Sequence, residues 1–157
     1  WEETRRCITA AVDRDGAFLD VGCANGLLLE SLQTRLPPAG LSIQPYGVDF
    51  IAELVALARD RVPAGEFWVG NAWSWRPPRR FTYVRTNLEY VLAEDRTEFV
   101  VRQLDWVEPG GRLILCHYRD RGTIQIDVAA FLRTMGHEVT GSAAAPGVSV
   151  AWMDLAP

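Results

Sequence analysis

The sequence predicts an α/β domain in which a mostly parallel sheet carries helices on both faces. Short apolar runs of strand length alternate with segments whose apolar residues recur at helical spacing. A glycine-bearing loop, Gly22 to Gly26, directly follows the first apolar run, and such loops let a ligand approach the backbone. The chain has 157 residues, 48% of them hydrophobic, so we expect residues 1–157 to form one domain with a buried core.

The first half of the chain contains two strand–helix units behind an N-terminal helix. Glu2–Arg14 has its apolar residues on one face, which predicts an amphipathic helix that covers the sheet. Ala17–Val21 is the first buried strand, and Leu27–Leu32 starts the helix after the glycine loop. Ser42–Val48 is the second predicted strand, and Phe50–Arg61 is the helix that follows it.

The next segment continues this alternation. Glu66–Val69 is a third predicted strand, and Phe81–Arg85 is a fourth, beyond a connection rich in proline and arginine. Arg96–Val107 has inward apolar residues at helical spacing. Pro109–Gly111 is predicted to be a turn, and Arg112–His117 is the fifth strand.

The chain is predicted to end in a helix and a hairpin. Ile124–Met135 forms the helix, and Gly136 closes it. His137–Thr140 and Val148–Met153 are the last two predicted strands. Because no helix separates them, they should pair antiparallel at the edge of the sheet.

Composition excludes several classes of function. All 16 basic residues are arginine, so chemistry that requires a lysine, such as a Schiff base or a P-loop, is excluded. A net charge of −4 argues against a nucleic-acid groove, and no apolar run is long enough to span a membrane. No metal-ligand pattern is present, and without a signal peptide we expect a cytoplasmic setting. The sequence starts with Trp1 rather than Met, which is compatible with missing N-terminal residues.

The spacing within the glycine loop distinguishes between ligand classes. A dinucleotide fingerprint needs a third glycine where this chain has Leu27, whereas Gly26 comes one residue earlier. The pattern from Asp20 to Gly26 instead resembles the first motif of class I S-adenosylmethionine-dependent methyltransferases, with Ala24 in place of a usual glycine. Alanine fits there if it avoids a positive φ angle. A tight turn without a ligand is the simpler alternative.

A second stretch supports the same resemblance. Val107–Leu115 contains Pro-Gly-Gly before strand five and is similar to the corresponding segment of that family. Together with Gly47-Val-Asp49 and the terminal hairpin, the resemblance covers nearly the entire chain. It implies a Rossmann-like sheet of seven strands in the order 3-2-1-4-5-7-6, with S-adenosylmethionine as the cofactor.

Ligands of open α/β sheets bind beyond the carboxyl ends of the strands. Residues just after the strands are therefore the candidates, including Thr86 to Tyr90 and His117 to Asp120. The resemblance implies that the cofactor-binding residues are Asp20, Gly22, Cys23, Ala24, Asn25, Gly26, Asp49, Phe50, Asn71, Ala72, Trp73, Thr86 and Asn87.

Each candidate polar residue has an alternative structural role. Asp49 either accepts ribose hydroxyl groups or caps the following helix. Asn71 stands where the family usually has an acid that accepts from the adenine amino group, and it is equally suited to a turn. Asp20 would lie near the methionine amino group or would order the loop. Trp73 would cover adenine or would simply pack.

The implied reaction is methyl transfer to a small-molecule acceptor. This reaction depends mainly on alignment, and His117 is the candidate base if the acceptor needs one, although an exposed loop histidine is the alternative. The loop after strand four lacks the Pro-Pro pair of amino-directed relatives. A non-catalytic S-adenosylmethionine-binding module and a nicotinamide-dependent oxidoreductase are the alternatives. We expect a small-molecule substrate, without a nucleic-acid or membrane partner.

Arg85 is an unusual residue for a central strand, since its charge cannot be buried without a partner. The predicted strand order places it beside Asp20 on the neighbouring strand. We expect an internal ion pair between the two side chains. The alternative is that Arg85 reaches the mouth of the cleft and binds an anionic group of the substrate.

Overall fold

The computed structural model describes residues 2–119 and 124–157. One sheet contains all seven strands: β1 (Gly16–Val21), β2 (Ile43–Asp49), β3 (Glu66–Val69), β4 (Phe81–Asn87), β5 (Val107–Tyr118), β6 (Gly141–Ala145) and β7 (Val148–Asp154). The α-helices are α1 (Glu2–Thr9), α2 (Leu27–Arg35), α3 (Ala52–Arg61), α4 (Arg96–Leu104) and α5 (Val128–Thr134). Short 3₁₀ turns occur at Pro37–Ala39, Leu88–Tyr90 and Ala93–Asp95.

The strand order is β3-β2-β1-β4-β5-β7-β6, as the resemblance implied. The first five strands pair in parallel, and β7 pairs antiparallel with both β5 and β6. This arrangement confirms the predicted mostly parallel sheet with an antiparallel C-terminal hairpin. It also brings the carboxyl ends of β1, β2, β3 and β4 to one edge.

The central strand β1 is buried on both faces, which explains its apolar sequence. Phe18 packs in a core that α1, α2 and α3 cover, whereas Leu19 and Val21 pack in a second core beneath α4 and α5. Successive side chains of a strand point to opposite faces. Residue parity along each strand therefore decides which layer a side chain enters, including the polar side chains near the strand ends.

The N-terminal helix is shorter than predicted. It ends at Thr9 rather than Arg14, because the Tyr83 hydroxyl oxygen accepts from the backbone N–H groups of Asp13 and Arg14, at 3.2 and 3.0 Å. Ala11 remains fully buried, so the segment beyond the helix still covers the sheet.

The predicted turn at Pro109–Gly111 lies inside β5. The pairing of β4 with β5 shifts between Phe81 and Tyr83, and this irregularity accommodates the extra residues. Gly111 is hydrogen-bonded to the C-terminal segment, because its carbonyl oxygen accepts from the Leu155 N–H group at 2.9 Å. The segment therefore extends the strand instead of turning before it.

Two further helix boundaries differ from the prediction. Helix α4 ends at Leu104 rather than Val107, which already belongs to β5. Helix α5 begins at Val128 rather than Ile124, because the side chain of Asp127 caps it by accepting from the Ala130 N–H group at 3.0 Å.

The prediction of the sixth strand at His137–Thr140 is wrong. The strand is Gly141–Ala145, because the tight turn that follows it sets the register of the hairpin. Gly147 has a φ angle of 77°, and Ala145 pairs with Val148 directly across the two-residue turn. The partner of β7 is therefore the segment immediately before that turn, Gly141–Ala145.

Within the described residues, no helix has the length and apolar character needed to cross a bilayer.

Candidate functional site

Two cavities flank the glycine loop at the carboxyl edge of the sheet. The first, which we call the Asp49 cavity, has a volume of about 310 Å³. The second, the Asp20 cavity, has a volume of about 210 Å³. The Asp49 cavity is lined by Gly22, Val48, Asp49, Phe50, Gly70, Asn71, Ala72, Trp73, Tyr90, Val91 and Phe99. The predicted candidates that line the Asp20 cavity are Asp20, Gly22, Cys23, Ala24, Asn25 and Asn87.

The glycine loop turns sharply through left-handed backbone positions. Gly22 and Gly26 have φ angles of 77° and 76°, and Ala24 has a φ angle of 46°. The condition under which alanine would fit without strain, a φ angle that is not positive, is therefore not met. Its backbone N–H group donates to Asp49 Oδ2 at 2.9 Å, and this bond helps to hold the residue in its strained conformation.

Asp49 connects two loops at the end of β2. Besides accepting from Ala24, its carboxylate accepts from the Ile51 N–H group through Oδ1 at 3.0 Å. The side chain is nearly buried and lines the cavity. The N-cap residue of α3 is Ile51, and no side chain makes a capping hydrogen bond to this helix. Asp49 therefore orders the two loops rather than the first turn of α3. Each carboxylate oxygen retains a second lone pair for a ligand hydroxyl group.

The loop after β3 is supported by α4. Asn71 Oδ1 accepts from the Trp73 N–H group at 2.9 Å, which fixes the turn. The Trp73 ring stacks on Phe99 with a centroid separation of 6.4 Å. Gln103 is fully buried and donates through Nε2 to the carbonyl oxygen of Ala72 at 3.3 Å. The loop therefore presents an aromatic side chain and an amide to the Asp49 cavity.

A buried polar network lines the Asp20 cavity. Arg85 donates to Asp20 Oδ1 at 3.0 Å, and the two side chains are only 5% and 2% exposed. The second terminal nitrogen of Arg85 donates to both Asn87 Oδ1 and the Tyr118 hydroxyl oxygen, at 2.6 Å each. The predicted internal ion pair is thus confirmed. Arg85 also lines the cavity, so the pair lies at the wall of the site.

Burial dominates the electrostatics of this network. Loss of solvent raises the pKa of the Asp20 carboxyl to about 6, although the charge of Arg85 opposes the rise. Burial likewise raises the pKa of Tyr90 to about 12, so its hydroxyl group stays protonated at neutral pH. In this network Tyr90 is a hydrogen-bonding group, which donates to the carbonyl oxygen of Gly22 and accepts from Asn87 Nδ2.

His117 and Thr86 lie among residues of the opposite sheet face. Side chains along β4 and β5 alternate between the two faces of the sheet. Arg85, Asn87 and Tyr118 lie on the face covered by α1–α3. Thr86 and His117 lie on the other face. His117 Nδ1 accepts from the Ile126 N–H group at 3.3 Å, and burial lowers its pKa. In the neutral ring the proton is then on Nε2, so neither nitrogen has a free lone pair to act as a base. Asp120 lies outside the described residues.

Two tyrosines of the site lie within the predicted candidate segments, Thr86 to Tyr90 and His117 to Asp120, but neither was assigned a role in cofactor binding. Tyr118 lines the Asp20 cavity, and Tyr90 lines both cavities. Strand alternation could have identified Tyr118, because it places this residue on the face opposite to its neighbour His117.

Among the described residues, no three His, Cys, Asp or Glu side chains are grouped as metal ligands.

Comparison with known proteins identifies the family. A family model described as a methyltransferase domain matches residues 18–111. Trans-aconitate 2-methyltransferase of Rhodopseudomonas palustris strain BisB5 is 31% identical over 94 residues, which cover 60% of this chain and 35% of that protein. The chain spans about a third of the length of the curated relatives that it matches first.

Solved structures show the same fold at low identity. DhpI, solved in complex with SAH, has a TM-score of 0.76 at 19% identity and covers 99% of this chain and 84% of that one. NodS of Bradyrhizobium japonicum WM9, solved with S-adenosyl-L-homocysteine, has a TM-score of 0.72 at 12% identity, covering 96% and 83%. The family model matches more than half of the chain, and the strand order is the one that the resemblance implied. The chain therefore belongs to the class I S-adenosylmethionine-dependent methyltransferases.

Proposed function

We propose that this protein transfers the methyl group of S-adenosylmethionine to a small-molecule acceptor. One observation carries the proposal: two cavities, each with a buried carboxylate, lie on either side of one glycine loop. A ligand with a nucleoside part and a charged amino-acid part needs two such compartments. The family match and the strand order support the same cofactor.

The residues of the Asp49 cavity suit the nucleoside part. Asp49 can accept from ribose hydroxyl groups through its remaining lone pairs. Phe50 and Trp73 offer apolar surface beside it, and the side-chain amide of Asn71 offers a donor. The N-terminal end of α2, behind Gly26, adds backbone N–H groups near the loop.

The residues of the Asp20 cavity suit the amino-acid part. Asp20 supplies negative charge for an ammonium group, directly or through the loop. Arg85 supplies positive charge on the same wall, and Asn87 and Tyr118 hold its guanidinium group in place. A cavity that contains both signs of charge is matched to a zwitterion.

The chain's contribution to the reaction is mainly orientation. When bound, S-adenosylmethionine supplies an electrophilic methyl group on a positively charged sulfur atom. Fixed placement of two reactants can lower a barrier by about 7–11 kcal/mol. His117 is not part of this proposal, because both of its ring nitrogens lack a free lone pair and it lines neither cavity.

A small acceptor is supported by the names of the relatives, which include a trans-aconitate 2-methyltransferase. We therefore propose a carboxylic acid or a molecule of similar size as the acceptor class to test first. A non-catalytic module that only binds the cofactor is the second candidate. It is favoured by two departures from the family pattern, Ala24 in place of the usual glycine and Asn71 in place of the usual acid.

The binding test uses calorimetry with S-adenosylhomocysteine and with NAD on the wild-type chain. We expect S-adenosylhomocysteine to bind and NAD not to bind. Formation of S-adenosylhomocysteine from S-adenosylmethionine is then measured with a panel of carboxylic acids, alcohols and amines. Binding without turnover across the panel would favour the non-catalytic module, and NAD binding alone would contradict both candidates.

Asp49→Ala tests the central contact of the proposal. Loss of hydrogen bonds to a charged group costs about 1.5–3 kcal/mol, so affinity for S-adenosylhomocysteine should fall at least about tenfold. Because Asp49 also holds the loop backbone, circular dichroism and thermal unfolding must accompany the calorimetry. Asp60→Ala on the exposed surface of α3 is the matched control and should leave affinity unchanged. Equal affinity in Asp49→Ala and wild type would restrict Asp49 to loop ordering.

A further inference from the structure

We propose that Tyr90 is a latch between the Asp49 cavity and the Asp20 cavity. In this proposal its side chain must turn outward before a ligand can lie across the glycine loop. The inference rests on the proposed function, since a ligand that fills one cavity alone has no need to displace Tyr90. It assigns to Tyr90 a positioning role in cofactor binding and not a role in the chemical step.

The position of Tyr90 is the first observation. Gly22 and Tyr90 are the two residues that line both cavities. The phenol end of Tyr90 lies directly on Gly22, since a Cβ atom added to this glycine would overlap the Tyr90 hydroxyl oxygen. Any ligand that reaches from one cavity to the other over Gly22 must therefore take the space that this phenol occupies.

Hydrogen bonds hold the phenol in that position. The Tyr90 hydroxyl group donates to the carbonyl oxygen of Gly22 at 3.2 Å and accepts from Asn87 Nδ2 at 2.7 Å. Asn87 in turn accepts from Arg85, which is paired with Asp20. The closed latch is thus connected to the buried ion pair on the wall of the Asp20 cavity.

The surroundings of Tyr90 allow it to turn. It is 41% exposed and ends a single 3₁₀ turn, Leu88–Tyr90, whose first residue Leu88 is fully buried. The base of the turn is therefore anchored while the aromatic ring borders solvent. Opening breaks two hydrogen bonds between uncharged groups, each of modest net strength. A closed population of this kind lowers apparent affinity in proportion to the open fraction.

Stopped-flow binding with two ligands tests the latch. Tyr90→Phe keeps the ring and removes both hydrogen bonds. We expect S-adenosylhomocysteine to associate about tenfold faster with this variant than with wild type. Adenosine, which in the proposed function occupies the Asp49 cavity alone, should associate with both proteins at rates equal within about twofold. Intrinsic fluorescence reports on both ligands, because Trp73 lines that cavity.

Two further variants separate the latch from general loosening. Tyr46→Phe removes a hydroxyl group from a tyrosine that lines neither cavity, and should not accelerate association. Tyr90→Ala removes the ring and should accelerate association at least as much as Tyr90→Phe. Thermal unfolding confirms that each variant is folded.

Each possible result decides the proposal. An unchanged association rate in Tyr90→Phe and Tyr90→Ala, with S-adenosylhomocysteine still bound, overturns the latch and leaves the proposed function intact. Equal acceleration of adenosine association, or acceleration by Tyr46→Phe, also overturns it. Failure of S-adenosylhomocysteine to bind wild type and variants overturns the proposed function together with the latch.

Discussion

At the residue scale, Ala24 adopts a backbone conformation that usually belongs to glycine. Its φ angle of 46° lies in the left-handed region, which costs an L-residue roughly 1–2 kcal/mol. The side chain is exposed, so no packing is gained in return. The bond from its N–H group to Asp49 is a compensating contact, and it connects the loop to the Asp49 cavity.

Ala24→Gly should therefore stabilise the protein. We expect the free energy of unfolding to rise by about 1 kcal/mol, because glycine enters the left-handed region without a steric penalty. Denaturant unfolding measures the change. Ala56→Gly, at an exposed position inside α3, is the matched control and should lower stability by a similar amount. Destabilisation by both variants would contradict the strain assigned to Ala24.

The titration of Asp20 is a second prediction at this scale. Burial raises its pKa from a usual value of 3.8 to about 6. The folded state thus holds this proton more tightly than the unfolded state, so the contribution of Asp20 to stability decreases as pH rises from about 4 to 6. Carbon-13 NMR of labelled aspartate should show a carboxyl titrating near pH 6.

Arg85→Met provides the check on the cause. Removing the positive charge beside Asp20 should move the pKa of this carboxyl further upward. Asp20→Asn should remove the titrating signal and so assign it. An Asp20 pKa at or below 4 in the wild-type chain would show that the ion pair outweighs burial.

At the element scale, helix α4 positions the loop that follows β3. Gln103 donates to Ala72, the Phe99 ring stacks on Trp73, and the Arg102 guanidinium lies 4.7 Å from the Trp73 ring centroid. The three residues lie three and four positions apart in α4, so their side chains are on the same side of the helix. They make the wall of the Asp49 cavity depend on a helix that contributes little else to it.

Gln103→Leu should weaken nucleoside binding. Leucine is close in size to Gln103 but cannot bond to the Ala72 carbonyl group, and one neutral hydrogen bond contributes about 0.5–1.5 kcal/mol. We expect the affinity for adenosine to fall about threefold with little change in thermal stability. Calorimetry measures the affinity, and Val101→Ala on the exposed side of α4 serves as the control. Unchanged affinity would show that packing alone positions the loop.

At the scale of the whole molecule, Arg112 joins the two ends of the chain. From the middle of the sheet it donates to Asp154 through Nε at 2.6 Å and through its second terminal nitrogen at 3.0 Å. It also pairs with Asp13 at 2.8 Å and donates to the carbonyl oxygen of Ala11 at 2.7 Å. The buried guanidinium thereby fastens the N-terminal segment and β7 to β5.

Arg112→Met should destabilise the whole domain. Several charge-assisted hydrogen bonds are lost together, and we expect a decrease of about 2–4 kcal/mol in the free energy of unfolding. The two aspartates stay partly exposed, so water limits the loss. Arg102→Met removes an exposed pair with Glu98 and should cost less than about 1 kcal/mol. A similar small loss for both variants would contradict the role of Arg112.

Local sequence signals predicted much of this architecture. The apolar runs and the helical periodicity predicted the alternation of strands and helices, and the family resemblance implied the strand order that the structure has. The Asp20–Arg85 ion pair followed from that order, because adjacent parallel strands end at the same edge and a buried arginine needs a partner. Periodicity and burial are encoded in the sequence directly, whereas the adjacency of β1 and β4 was predicted only through the resemblance.

Tertiary structure decided which side chains meet. Strand pleat and register place Asn87 and Tyr118 in the Asp20 cavity and turn Thr86 and His117 to the other face. The positive φ angle of Ala24 depends on its bond to Asp49, which is 25 residues away. The place of Tyr90 over Gly22 depends on a contact across 68 residues. Such contacts between distant segments have no local sequence signal, because they exist only after the sheet has assembled.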